Sequence, residues 1–190
     1  MARGARIGLL GGSFNPAHRG HIHVSETALK ALGLDYVWWL VSPQNPLKSK
    51  EAMGELGPRV AAAKALARHP RIVVTDIESE LGTIYTAETL RALSQRFPNV
   101  RFVWLMGSDN LVQIPHWKSW RKIFSMVPVA VVSRPETSLK ARNGAAARTF
   151  STARVHADTS FAARRPPAWT IIEARHDWTS ATQIRAHSRT

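Results

Sequence analysis

The sequence predicts an α/β domain built on a mostly parallel sheet with helices on both faces. Apolar runs of strand length alternate with amphipathic stretches at intervals that suit repeated βα units. Runs such as Tyr36–Val41 and Val129–Val132 are apolar throughout, as strands covered on both faces are. A chain of 190 residues, 44% hydrophobic and 21% charged, suits one folded domain spanning residues 1–190.

Ile7–Leu10 reads as a buried strand ending at Gly11-Gly12. Gly20–Leu32 follows as a helix, with Ile22, Ser25 and Leu29 at helical spacing and Gly33 closing it. Tyr36–Val41 is the second strand, and Ser42–Leu56 is a loop rich in Pro, Gly and Lys. Pro58–Arg68 is a helix with proline near its first turn, and Ile72–Thr75 is the third strand. Ala87–Phe97 is a helix with Thr86 as N-cap. Phe102–Leu105 and Val129–Val132 are further strands, separated by helical pieces at Asn110–Ile114 and Ser119–Phe124. Arg134–Pro167 has weak periodicity and reads as loop with one short helix. Thr170–Glu173 is a last strand, and Ser180–Ala186 opens a final helix.

Composition removes several classes of function. With no cysteine there is no disulfide, thiolate metal site or Cys nucleophile, which fits a reducing compartment. The longest apolar runs, Tyr36–Val41 and Val127–Val132, are far too short to span a bilayer. Ile7–Leu10 is too short for a signal-peptide core, so the chain reads as cytoplasmic and unprocessed. The net charge of +13 admits a nucleic-acid binder or a protein that attracts small polyanions. The charge is spread, with 16 basic and 9 acidic groups in residues 1–133 and 10 and 4 in 134–190. No nucleic-acid-binding motif accompanies it, so nucleic acid is the weaker reading.

The chemistry concentrates in Gly11–His21, GGSFNPAHRGH. Two glycines after a strand let the backbone turn and approach a ligand. The next helix begins near Arg19-Gly20, so its free N–H groups and positive dipole end face that turn. His18 and His21, three residues apart, can share one face of the helix start. Imidazoles donate to phosphate oxygens, and phosphate nearby would favour their charged form. The string is not GxGxxG, because the third glycine is missing, and Lys48-Ser49 lacks the glycine loop of a P-loop.

Gly11–His21 resembles the GG-x-F-x-P-x-H-x-G-H signature of the HxGH nucleotidyltransferase superfamily. That resemblance implies a Rossmann-like doubly wound parallel sheet in a single domain, with ATP held by Gly11, Gly12, Ser13, Phe14, His18 and His21. Ser180–Arg185 (SATQIR) resembles the superfamily's C-terminal (I)SSTxIR motif, with Ala181 in place of the commoner serine. Ser180 and Thr182 would then hold the β and γ phosphates, with Arg185 one turn on supplying charge. Met106–Asn110 (MGSDN) resembles the (M/I)G-x-D segment, in which Gly107 permits close approach and Asp109 binds ribose or adenosine groups. Ser108 or Asp109 could equally cap the helix there.

Within the superfamily the chain is most similar to bacterial nicotinate-nucleotide adenylyltransferases. Tyr85-Thr86 with Thr89-Leu90 resembles the SYTxxTL segment, Ile84 replacing its serine, and Pro43–Lys48 (PQNPLK) resembles the loop after the second strand. Trp117 matches the tryptophan that stacks on the pyridine ring. The resemblance thus implies that Asn45, Lys48, Tyr85, Thr86 and Trp117 bind the acceptor, with N–H groups near Thr86 and Trp117 on its carboxylate. It implies ATP and a pyridine mononucleotide as substrates and transfer of AMP by in-line displacement. His18, His21 and Arg185 would be catalytic, and Mg²⁺ would be carried with ATP rather than held by a dedicated metal site. Nicotinamide mononucleotide or phosphopantetheine remains open as acceptor, as does a non-catalytic nucleotide-binding module. Oligomeric state is not legible in the sequence.

Overall fold

The structure, a computed structural model, describes residues 4–44, 53–133 and 137–173. In chain order the elements are β1 (Arg6–Gly12), α1 (Arg19–Ala31), β2 (Tyr36–Val41), α2 (Leu56–Leu66), β3 (Ile72–Thr75), α3 (Ile77–Glu80), α4 (Thr86–Arg96) and β4 (Arg101–Gly107). Then follow α5 (Ser108–Gln113), a 3₁₀ turn at Ile114–His116, α6 (Trp120–Met126), β5 (Val129–Val132), α7 (Ser138–Arg142) and α8 (Ala145–Thr149). Two more 3₁₀ turns, Ser151–Ala153 and Phe161–Ala163, precede β6 (Trp169–Ile172).

The six strands form one sheet in the order β3-β2-β1-β4-β5-β6, and every pairing is parallel. The strand order reverses beside β1, so the carboxyl ends of β1 and β4 bound the crevice where doubly wound folds place ligands. Side chains alternate across the sheet. Ile7, Leu9, Trp38, Phe102 and Trp104 pack on one face with Leu90 and Leu93 of α4 and Ile123 and Phe124 of α6. Leu10, Val37, Trp39, Val103 and Leu105 pack on the other with Val24, Ala28 and Leu29 of α1 and Val60 and Ala63 of α2.

Tyr36–Val41, Ile72–Thr75 and Val129–Val132 are strands over the predicted residues, and Thr170–Glu173 forms one residue earlier. The first strand does not end at the glycines. Gly11 and Gly12 pair with Leu40 and Val41, so β1 runs through them. A side chain at Gly11 would place its Cβ 2.5 Å from the buried Trp104 ring, so glycine is required there by packing. The turn falls instead at Phe14, with φ of 45°, a left-handed conformation unusual for a bulky residue.

Other boundaries move for local reasons. Gly33 (φ 57°) sits one residue beyond Leu32, which caps α1. The second helix begins at Leu56 because Pro58 lies within its first turn, where the missing N–H costs nothing. Thr86 is the first helical residue of α4, not its cap; extended Tyr85 caps it without a side-chain bond. Gly107 caps α5 in place of Ser108 or Asp109, while the Ser108 hydroxyl lies 2.6 Å from that of Thr137. Of the stretch 134–167, the described residues 137–167 hold two short helices and two 3₁₀ turns rather than one helix, packed through small buried residues Ala141, Ala146 and Ala147. The single turn α3 went unpredicted. The final helix expected at Ser180–Ala186 lies outside the described residues.

A buried polar cluster joins α3 to α4. Glu78, only 5% exposed, accepts a hydrogen bond from the Thr89 hydroxyl on Oε1 (2.9 Å). The Thr83 hydroxyl lies 2.9 Å from that of Thr89 and supplies its donor. Burial raises the Glu78 pKa, and the Thr89 and Ser42 hydroxyls partly oppose this.

Two stability predictions follow from these contacts. Gly11→Ala should cost about 1–3 kcal/mol in urea unfolding by driving a methyl into the Trp104 ring. Gly12→Ala, whose Cβ would meet the Phe14 ring at an ordinary 3.5 Å, should cost clearly less. Equal losses would remove the packing account of Gly11. For Glu78, a raised native pKa means the native state holds a proton more tightly than the unfolded chain, so this group's contribution falls as pH rises past the ordinary carboxyl range. Unfolding at pH 5 and pH 8 should show Glu78→Gln gaining on the wild type at the higher pH; a constant gap would contradict the buried carboxyl.

Candidate functional site

The loop from Ser13 to His18 links β1 to α1, and α1 starts at the switch point. His18 is its N-cap, extended at φ −148° and ψ 170°. Imidazole is an uncommon cap, and here two of them cap reciprocally. Gly20 N donates to His18 Nδ1 (3.1 Å), and His18 N donates to His21 Nδ1 (3.1 Å). His21 Nδ1 also lies 3.3 Å from His18 O, and whether it donates or accepts there depends on the ring's tautomer. The rings lie 4.0 Å apart between centroids, so the expected shared face exists.

Packing holds the pair. The Phe14 ring lies 4.5 Å from His21 and stacks on Trp39 at 5.0 Å. Trp39 Nε1 donates to the Ser25 hydroxyl (2.8 Å), which donates to His21 O (2.8 Å). The left-handed backbone at Phe14 is what places its ring between them. Gly11, Gly12, Ser13, Phe14, His18 and His21 are therefore brought together as one cradle at the start of α1.

Gly107 ends β4 beside β1, and Asp109 lies half-buried in the first turn of α5. Met106-Gly107 and Gly11-Gly12 thus bound the two sides of the crevice.

A second group lies across β4. Trp104, whose ring fills the space left by Gly11, meets Trp117 edge-on at 6.4 Å and 85°. Lys118 Nζ stands 4.0 Å over the Tyr85 ring and 3.1 Å from Glu88 Oε1, drawing the Trp117 segment to the start of α4. Tyr85, Thr86 and Trp117 are therefore neighbours through Lys118, and Trp104 joins them to the cradle. One expectation changes. The Trp117 N–H donates to Ile114 O (2.9 Å), closing the 3₁₀ turn, so it is spent. In the first turn of α4 the Glu88 and Thr89 N–H groups donate to Tyr85 O, which leaves those of Thr86 and Ala87 suited to an anion.

Asn45, Lys48, Ser180, Thr182 and Arg185 lie outside the described residues. Sequence reasoning missed Trp104, Glu78 and Arg59, all buried around these segments. Arg59 carried a signal: it sits four residues before Ala63 and beside Val60 on the apolar face of α2. Glu78 sits in an acidic run that reads as solvated surface.

The family model described as cytidylyltransferase-like matches residues 9–187. A relative from Parvibaculum lavamentivorans named "Probable nicotinate-nucleotide adenylyltransferase" is 54% identical over 97% of this chain and 93% of its own length. One of the same name from Cereibacter sphaeroides is also 54% identical, over 96% and 98%. Among solved structures, Plasmodium falciparum nicotinic acid mononucleotide adenylyltransferase complexed with NaAD superposes with a TM-score of 0.71 at 18% identity, covering 96% of this chain and 83% of that one. At that identity the superposition speaks for the doubly wound fold alone. The sheet order, the capped histidine pair at its switch point and the curated relatives agree, and the chain belongs to the nicotinate-nucleotide adenylyltransferase family of cytidylyltransferase-like proteins.

Proposed function

We propose that this chain transfers AMP from ATP to nicotinate mononucleotide, forming nicotinate adenine dinucleotide and pyrophosphate as a step of NAD biosynthesis. The observation that carries this reading is the His18–His21 pair, two imidazoles 4.0 Å apart that cap a helix N-terminus in the switch-point crevice. An ionised phosphate oxygen of the mononucleotide attacks the α-phosphorus of ATP, and the bond from that phosphorus to the bridging oxygen of the β-phosphate breaks. The electron pair leaves with pyrophosphate, and no general base is required. Positioning and charge stabilisation then supply the rate. His18 and His21 donate to the α/β bridge and the leaving group, while Gly11–Phe14, Gly107 and Asp109 receive the nucleotide. Ser180, Thr182 and Arg185 take the β/γ end.

On the acceptor side, Trp117 provides an aromatic wall for an electron-poor ring, with Tyr85 and Thr86 beside it and Asn45 and Lys48 from the loop after β2. Mg²⁺, carried with ATP, supplies charge neutralisation on the phosphates. The donor set fits this arrangement, since imidazole and backbone N–H groups engage phosphate oxygens; among the described residues no group of three or more His, Cys, Asp or Glu could hold a metal ion. The chain is read as one nucleotidyltransferase domain working in the cytoplasm. The absence of cysteine supports that compartment, and none of the described helices is long and apolar enough to cross a membrane.

Pyrophosphate release from ATP and nicotinate mononucleotide tests the reading directly; a folded protein that releases none would refute it. His18→Ser keeps a hydroxyl cap but loses the Nε2 donor. Its stability should stay within about 0.5 kcal/mol while turnover falls about a hundredfold or more. Normal turnover would confine His18 to capping. Trp117→Ala should raise KM for the mononucleotide more than for ATP, and the reverse pattern would place Trp117 outside the acceptor site.

A further inference from the structure

One side chain ties together the loops that leave β1 and β2. Arg59, in the first turn of α2, is 5% exposed and donates to four backbone carbonyls. Its Nε reaches Gly54 O at 2.7 Å, one terminal nitrogen reaches Ser13 O (2.6 Å) and Ser42 O (2.9 Å), and the other reaches Pro43 O (3.4 Å). Ser13 precedes Phe14 at the head of the histidine cradle. Ser42 and Pro43 continue β2 beside it, and the Ser42 hydroxyl in turn influences Glu78 under α4. The guanidinium is thus the hub of the backbone on the β1–β2 side of the switch point.

Its charge has no acidic partner among the described residues. Burial alone pulls its pKa below the ordinary value, and a guanidinium is too basic to lose its proton on that account. Burying such a charge is costly, and an apolar side chain of similar length would pack without that cost. Carbonyl oxygens satisfy the N–H groups but leave the positive charge in place. Only the planar five-donor fork spans four acceptors at once; a lysine ammonium has three donors at a single point.

We propose that Arg59 is a positioning residue for nucleotide transfer: it fixes Ser13 and Ser42–Pro43 in one geometry and places a positive charge with no acidic partner among the described residues behind the β1 side of the crevice, where a polyphosphate is received. The identity of that polyphosphate as ATP rests on the function proposed above.

The test compares wild type, Arg59→Met and Arg59→Lys in two assays: calorimetric binding of a non-hydrolysable ATP analogue at several ionic strengths, and pyrophosphate release with ATP and nicotinate mononucleotide. Arg59→Met should bind the analogue about tenfold more weakly or worse and lose part of the salt dependence. Arg59→Lys should regain the salt dependence and most of the affinity but not kcat, because the carbonyl lock is not rebuilt. A folded Arg59→Met with wild-type affinity and kcat, or with only a lowered Tm, overturns the proposal. Should the methionine variant not fold, Arg59→Lys decides alone: kcat lowered at an unchanged folded fraction supports the proposal, and unchanged kcat and KM overturn it. Wild-type protein that binds the analogue but releases no pyrophosphate would sink the transfer reading, and the binding arm would still judge Arg59.

Discussion

The reciprocal cap between His18 and His21 is the constraint on which the site depends. A helix start leaves backbone N–H groups without partners, and most helices answer with a hydroxyl or carboxamide. Here two imidazoles do it, each engaging a backbone N–H through Nδ1. One arrangement therefore begins the helix and orients both rings. Phe14, Trp39 and Ser25 hold it against the sheet, so the pair is fixed by the core rather than by loop residues alone.

The second constraint is the exchange of side-chain volume between neighbouring strands. Gly11 lacks a Cβ so that the Trp104 ring can lean across β1. That ring in turn meets Trp117, and Lys118 fastens the same segment to Tyr85 and Glu88. Gly11 and the Trp117 segment are thus coupled through packed rings on one face of the sheet. Ser119 (φ 55°), directly after Lys118, and Phe14 are the two non-glycine residues with left-handed backbone among those described, and one borders each side. Such conformations persist where surrounding contacts demand them.

Much of this was legible in the sequence. The buried parallel strands declared themselves as unbroken apolar runs, and three of them begin and end where predicted. The three-residue spacing of His18 and His21 placed their rings on one face, and they do share it. What failed was whatever depends on partners far away in the chain. The glycines read as a turn, yet Gly11 answers to Trp104, 93 positions on, which no local pattern encodes. Glu78 and Arg59 were not singled out, because burial of a charge is set by tertiary contacts. The single turn α3 forms because Ile77 finds the core, and the short helices after β5 pack through alanines that show little periodicity.

Strand length also has a consequence beyond the site. The central strands β1 and β4 each have seven residues, and the two outermost, β3 and β6, have four. Length is thus concentrated where carboxyl ends must frame the crevice and withdrawn at the margins of the sheet, where Val155 N–H already covers Trp169 O of β6. A short outer strand is a poor template for edge-to-edge pairing between molecules. Together with the mutual repulsion of chains carrying +13, the taper guards the protein against sheet-driven aggregation at high concentration.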